Sequence, residues 1–139
     1  MSSSLPPVVP YLYYPDAAQA VEFLVRAFGF EEHSVVRDQD GVVWTAQLRT
    51  GPDPGCGLVM IGPGMAEFGS QAVTDPDWAT GRVHILVDDL DAHYERAMAA
   101  GAVIRSEPAV GFGGTKTYVV SDCGGQQWIF AEPVPPDAP

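Results

Sequence analysis

Two side chains with acid–base chemistry stand out because each lies in an apolar stretch. His84 lies between Val83 and Ile85, and imidazole is the side chain whose charge changes near neutral pH. Glu132 ends an apolar stretch before Pro133, and burial would raise the pKa of its carboxyl group toward the range of a general base. Glu132 is therefore the candidate catalytic residue, and the alternatives are an anchor for a cationic ligand and a solvated strand end. His84 is either a functional group or a hydrogen-bonded wall of a pocket.

Aromatic side chains are the second kind of candidate, because they can form a flat apolar wall for a ligand. Alternate residues of a strand share a face, so Tyr11 lies with Tyr13, and Trp128 lies with Phe130. Aromatic faces suit an aromatic or heterocyclic ligand, and a place in the core is the ordinary alternative. The predicted ligand-binding residues are Tyr11, Tyr13, Trp44, Phe112, Tyr118 and Trp128.

Three further residues are placed by their neighbours. His33 follows Glu31 and Glu32, and His93 falls on the polar side of a predicted helix, so both are expected at the surface. Trp78 lies in an acidic segment that contains a proline and has no evident core position. We expect Trp78 to cover either a ligand site or a dimer partner.

The elements that must position these residues occur twice along the chain. In the first half an apolar strand is followed by Asp16 as a helix N-cap and by Gly29 as the helix end. Three strand patterns follow. The second half repeats this order, with Asp88 and Asp89 supplying the cap and Gly101 ending the helix. Such internal similarity indicates two copies of one supersecondary unit, strand–helix–strand–strand–strand.

The spacing of the repeat predicts the architecture. Asp16 and Asp88 are 72 positions apart, and Pro63 and Pro133 are 70 positions apart. We therefore predict an α+β fold in which two βαβββ modules form a curved mixed sheet around a cleft, with the helices outside. The predicted single domain covers 8–134, with modules over 8–62 and 82–134 and a linker over 63–81.

Composition and charge exclude several classes of protein. The 139 residues include 7 Lys and Arg against 18 Asp and Glu, a formal net charge of −11. Nucleic-acid binding depends on basic side chains, so we expect no nucleic-acid partner. No apolar run approaches the roughly 18 residues of a membrane helix, and no export signal is visible, so we expect no membrane partner and a cytoplasmic location. Cys56 and Cys123 are then free thiols, and the acidic surface favours either solubility or a cationic ligand.

The sequence resembles the vicinal oxygen chelate superfamily, which contains the glyoxalases, the bleomycin-resistance proteins and the extradiol dioxygenases. The similarity covers roughly residues 8–134. One departure is Cys123, where the family usually has a proline after the aspartate. The segments that carry the resemblance are 10–17, 27–30, 83–91, 118–122, Gly125 and 128–133.

The resemblance implies a divalent ion held by one side chain from the first and last strand of each half. His84 and Glu132 are the candidate metal ligands in the second half, and imidazole and carboxylate are suitable donors. The repeat offsets place Leu12 and Gly62 at the corresponding positions of the first half, and neither side chain can coordinate a metal. A third donor would come from Tyr11, Tyr13, Gln47 or Glu67. No cofactor is therefore certain, and the candidate is one divalent metal: Zn, Mn, Fe or Ni.

Two functions follow from the resemblance. One is a protein that binds a small molecule without chemistry, sequestering a flat or cationic antibiotic-like ligand in an aromatic-lined cleft. The other is a divalent-metal-dependent lyase, isomerase or dioxygenase acting on a substrate with vicinal oxygens. A homodimer is expected for the binding function, because adjoining subunits can complete each other's clefts.

Overall fold

The computed structural model describes residues 5–135, which divide between Thr74 and Asp75 into two compact units. Unit 1 comprises residues 5–74 and unit 2 comprises residues 75–135. Each unit contains one four-stranded mixed sheet and one α-helix. The predicted α+β class with two βαβββ modules is therefore confirmed. Among residues 5–135, neither α-helix has the length and apolar character of a membrane-spanning segment.

Unit 1 has the strand order β1-β4-β3-β2, with β1 parallel to β4 and the other pairs antiparallel. The last strand is followed by one short 3-10 helix over Ala66–Phe68. The elements are β1 (Tyr11–Tyr13), α1 (Ala17–Phe28), β2 (Glu31–Arg37), β3 (Val43–Arg49) and β4 (Leu58–Gly62).

Capping residues define both ends of α1. The backbone N–H of Gln19 donates to the side chain of Asp16 at 3.1 Å, which satisfies a group that the first helical turn leaves unpaired. Gly29 ends the helix at φ 74°, a conformation that favours glycine. Between these caps, Ala20 and Leu24 recur at helical spacing and are fully buried against the sheet.

Unit 2 has the equivalent strand order, β5-β8-β7-β6, with β5 parallel to β8. Strand β6 continues through Pro108, because β6 is an edge strand of this sheet, where a missing N–H is tolerated. The elements are β5 (Arg82–Leu86), α2 (Leu90–Ala99), β6 (Val103–Val110), a 3-10 helix over Phe112–Gly114, β7 (Thr115–Ser121) and β8 (Gln127–Pro133).

The internal repeat is offset differently from the prediction. Asp89, not Asp88, caps α2, so the two caps are 73 positions apart. The N–H of Tyr14 donates to the carbonyl of Gly62, and that of Val87 donates to the carbonyl of Ala131. These equivalent bonds give offsets of 73 before the helices and 69 after the last strands. The predicted offsets of 72 and 70 are therefore wrong. The first differs because the second helix is one residue shorter between its cap and its terminal glycine.

Candidate functional site

Strand β5 presents His84 on the sheet face opposite α2. Ile85 pairs with Phe130 in the register of β5 and β8, and the ring of Phe130 lies 4.0 Å from the imidazole of His93 on α2, centroid to centroid. These residues therefore face the helix. Because side chains alternate along a strand, His84 lies on the other face, directly opposite Ile129. We call this face of unit 2 its helix-free face.

The imidazole of His84 has no bonding partner in its own unit. His84 is exposed, and within residues 5–135 it makes no hydrogen bond or ion pair. Arg82 and Leu86 share its face, and the side chain of Leu86 is 63% exposed. The predicted alternative, a hydrogen-bonded wall, is therefore not what the structure shows.

Glu132 lies on the opposite face of the same sheet. It is two residues beyond Phe130 and therefore faces α2. Its Oε1 accepts a hydrogen bond of 2.7 Å from the backbone N–H of Leu90, the first residue of the helix. A carboxylate at that position also interacts favourably with the helix dipole. The structure thus gives Glu132 a helix-capping contact and does not bring it together with His84.

Unit 1 presents Tyr11 and Tyr13 on the face opposite α1. Their rings stack, with centroids 5.1 Å apart and an interplanar angle of 29°. The hydroxyl of Tyr11 donates to Oγ1 of Thr45 at 3.2 Å. Tyr11 crosses over Gly62, where an added Cβ would lie 2.5 Å from the hydroxyl oxygen. Gly62 therefore makes room for this tyrosine, and we call this surface the helix-free face of unit 1.

Tyr118 and Trp128 are core residues of unit 2, both 0% exposed. The hydroxyl of Tyr118 is 2.6 Å from Nδ1 of His93. The indole N–H of Trp128 donates to Oδ2 of Asp122 at 3.0 Å. Burial raises the pKa of Tyr118 well above its ordinary value, and the neighbouring Tyr94 adds to this effect. Both predicted ligand-binding residues face the helix, so the structure gives them packing contacts on that side.

Two histidines and two aromatic residues complete the set of predicted positions. His93 is half-buried against Phe130, so its predicted surface position is wrong. Trp44 is half exposed in β3, and the side chain of Phe112 lies outside the described residues. His33 is exposed, as predicted.

Trp78 lies in the first segment of unit 2, which hydrogen bonds connect to strands β6 and β8. Nη2 of Arg105 donates to the carbonyl of Pro76 at 2.7 Å and to Oδ1 of Asp77 at 2.8 Å. Nε2 of Gln127 also donates to the carbonyl of Pro76. The indole of Trp78 is 76% exposed. Its predicted role as a cover for a ligand or a dimer partner stays a prediction.

The side chain that pairs with His84, and the pair at the equivalent positions of unit 1, do not fit a metal site. The observed repeat makes Tyr11 and Met60 the counterparts of His84 and Ile129. Isoleucine has no donor atom, and a thioether is a poor ligand for the harder divalent metals. Residues 5–135 contain no cluster of three His, Cys, Asp or Glu side chains that could hold an ion. Leu12, predicted to occupy the position of His84, pairs with Ile61 and faces α1.

A hollow of about 420 Å³ lies elsewhere in unit 1, between α1 and the strands β2 and β3. Val21, Val25, Val35 and Val43 contribute apolar walls, and its charged rim consists of Glu22, Arg26, Glu32 and Arg37. None of the predicted site residues lines it. The hollow is on the helix side of the sheet, away from Tyr11 and Tyr13.

Solved structures share this fold. TioX from Micromonospora sp. ML1 is 30% identical, over 96% of this chain and 100% of that chain, with a TM-score of 0.69. TnmS3, described as an antibiotic binding protein from Streptomyces sp. CB03234, is 16% identical over 96% and 99%, with a TM-score of 0.67. The fosfomycin resistance protein FosX from Listeria monocytogenes, in complex with Mn(II) and sulfate, is 15% identical over 96% and 93%, with a TM-score of 0.66. At 16% and 15% identity, the similarity of TnmS3 and FosX to this chain shows a shared fold.

Sequence comparisons show the family. The uncharacterized protein Mb0911c of Mycobacterium bovis is 32% identical over 132 residues, which is 93% of this chain and 84% of that protein. The family model described as the Glyoxalase/Bleomycin resistance protein/Dioxygenase superfamily matches residues 5–130. The chain belongs to the glyoxalase/bleomycin resistance protein/dioxygenase superfamily.

Proposed function

We propose that this protein binds a flat aromatic small molecule of the antibiotic type on the helix-free face of a sheet, without metal-dependent chemistry. The stacked pair of Tyr11 and Tyr13 carries this proposal. Thr45 and Gly62 position Tyr11 on the face of the unit 1 sheet that is opposite α1. Ordered aromatic rings of this kind favour offset stacking with a flat ligand.

The description of TnmS3 as an antibiotic binding protein supports the proposal, since it shares this fold. The side chains opposite the tyrosines and His84 support it as well. Met60 and Ile129 are apolar and offer contact area rather than metal coordination. A homodimer and a cytoplasmic location stay predictions.

Calorimetry with four compounds tests the proposal. The panel contains bleomycin, the cation acridine orange, anthraquinone-2-carboxylate and anthraquinone-2-carboxamide. We expect at least one planar compound to bind and Tyr11→Ala to weaken that binding about tenfold, as loss of one aromatic contact would. Phe68→Ala removes an exposed aromatic ring from the 3-10 helix of unit 1 and is the matched control. No binding by any compound, or equal losses in both variants, would contradict the proposal.

Metal-dependent catalysis is the second candidate, and the unpartnered imidazole of His84 favours it. FosX shows that one protein with this fold binds Mn(II). Elemental analysis of protein purified without chelator, before and after incubation with Zn, Mn, Fe or Ni, separates the two functions. Our proposal predicts less than about one-tenth of an equivalent of metal, because only one nitrogen ligand is available on that face. Stoichiometric uptake that His84→Asn abolishes would favour the enzyme instead.

A further inference from the structure

Arg82 and His84 place two nitrogen-bearing side chains side by side on the helix-free face of unit 2. They are two residues apart on β5 and therefore share this face. Both are exposed. Their partners in β8 are Gln127 and Ile129, so a polar position and an apolar position lie next to the two cationic or protonatable groups.

Hydrogen bonds hold the guanidinium group of Arg82 in a defined position. Its Nε donates to Oε1 of Gln127 at 2.8 Å, and Nε2 of Gln127 donates to the carbonyl of Pro76 at 3.2 Å. Gln127 is itself buried. The two terminal nitrogens of Arg82 bond no group within residues 5–135, so they remain available to a ligand.

Two other basic side chains of unit 2 have acidic partners, whereas Arg82 has none among the described residues. Arg105 pairs with Asp77 at 2.8 Å, and Lys116 pairs with Asp91 at 2.9 Å. This contrast is informative because acidic residues outnumber basic ones in the chain, 18 to 7.

The strands around Arg82 exclude acidic side chains from its face. Strands β5 and β7 contain no Asp or Glu, and the acidic residue of β8, Glu132, faces the helix. A cationic ligand, as the net charge suggested, would meet donors here instead of acceptors.

We infer that Arg82 and His84 anchor the carboxylate group of an aromatic acid on the helix-free face of unit 2. The inference rests on the proposed function, since it names the class of that ligand. The terminal nitrogens of a guanidinium group match the two oxygens of a carboxylate. Two residues along a strand span about 6.6 Å, so both side chains can reach one carboxylate group. The apolar neighbours Leu86 and Ile129 contact the hydrocarbon part of the acid.

Benzoate and benzamide isolate the charged group, because they have nearly the same shape. With the full chain at constant pH and ionic strength, we expect benzoate to shift the imidazole NMR signals of His84 and benzamide to leave them unchanged. Arg82→Gln should weaken the benzoate response about tenfold, as loss of a charge-assisted hydrogen bond would. Arg82→Lys keeps the charge but lacks the pair of terminal nitrogens, so it should weaken the benzoate response less than Arg82→Gln does. Arg26→Gln, at an exposed position on α1, is the matched control.

Equal responses to benzoate and benzamide, no response to either, or a benzoate response that survives Arg82→Gln would overturn the inference. The anthraquinone pair separates this failure from that of the proposed function. If the carboxamide binds as tightly as the carboxylate, the aromatic site stands and the anchor is overturned. If none of the four compounds of the calorimetry panel binds but benzoate still acts through Arg82, the anchor is supported and the proposed binding of a flat antibiotic-like molecule is contradicted.

Discussion

His84 lies directly opposite Ile129 in the parallel pairing of β5 and β8. The imidazole therefore faces an alkyl side chain where a metal site would need a second donor. Glu132, three residues further along β8, lies on the other face and binds the start of α2. This arrangement separates the acid from the imidazole and is the reason that we favour binding over metal-dependent catalysis.

Glu132 and His84 should respond differently to substitution. Glu132→Ala removes the acceptor for the N–H of Leu90 and should lower the free energy of unfolding by about 1–2 kcal/mol. His84→Asn should change it by less than about 0.5 kcal/mol, because an exposed side chain without partners is lost. Urea unfolding measures both values. A neutral Glu132→Ala variant would show that the capping contact does not stabilise α2.

Asp122 should be among the most sensitive positions of unit 2. It is buried, and its carboxylate accepts from the N–H groups of Gly124 and Gln126 and from the indole of Trp128. Asp122→Ala leaves these donors without their acceptor and should lower the free energy of unfolding by about 3 kcal/mol.

A control for this variant exists in unit 1. Asp38 accepts from the N–H groups of Asp40 and Val42 in the same spacing, but in an exposed turn without an indole. Asp38→Ala should lower the free energy of unfolding by about 1 kcal/mol. Equal losses in the two variants would contradict the importance that we give to the buried indole.

Tyr118 links stability to alkaline pH. Burial raises the pKa of its hydroxyl in the folded state above the ordinary value of 10.0, so the unfolded chain loses this proton first. The resulting stabilisation is complete below about pH 10 and declines as the pH rises further. The free energy of unfolding should therefore fall above that pH, and less steeply in Tyr118→Phe. The same slope in both proteins would contradict this account.

Gly62→Ala tests the fixed position of Tyr11. The added methyl group would collide with the tyrosine hydroxyl and displace the ring from Thr45. We expect binding of the planar compound to weaken by about threefold to tenfold, the size of one aromatic contact. Gly55→Ala, where an added Cβ meets nothing within 4 Å, should leave affinity unchanged. Unchanged affinity in Gly62→Ala would contradict a contact between Tyr11 and the bound compound.

Local signals in the sequence predict the elements of this fold well. Asp16 and Gly29 delimit α1 as their chemistry requires. The face on which each strand side chain lies is harder to predict, because a one-residue change in register moves every side chain to the other face of the sheet. Because the second helix is one residue shorter, the predicted offset was one position too small before the helices. It therefore aligned Leu12 with His84, where the structure aligns Tyr11.

The burial of Tyr118 and Trp128 could not be predicted from alternation, which groups residues by face but does not say which face the helix covers. The same alternation could have identified Arg82, since it lies two residues before His84. Glu132 could likewise have been grouped with Phe130, and the contact between Phe130 and His93 assigns that group to the helix side.

NMR mapping of the tightest-binding planar compound tests the central claim most directly. In the full, labelled chain, we expect the largest shifts at Tyr11 and Tyr13, on the helix-free face of unit 1. The signals of Val21 and Val25, which line the hollow beside α1, should stay unchanged. Shifts concentrated at that hollow, with none at the two tyrosines, would contradict the proposed binding surface.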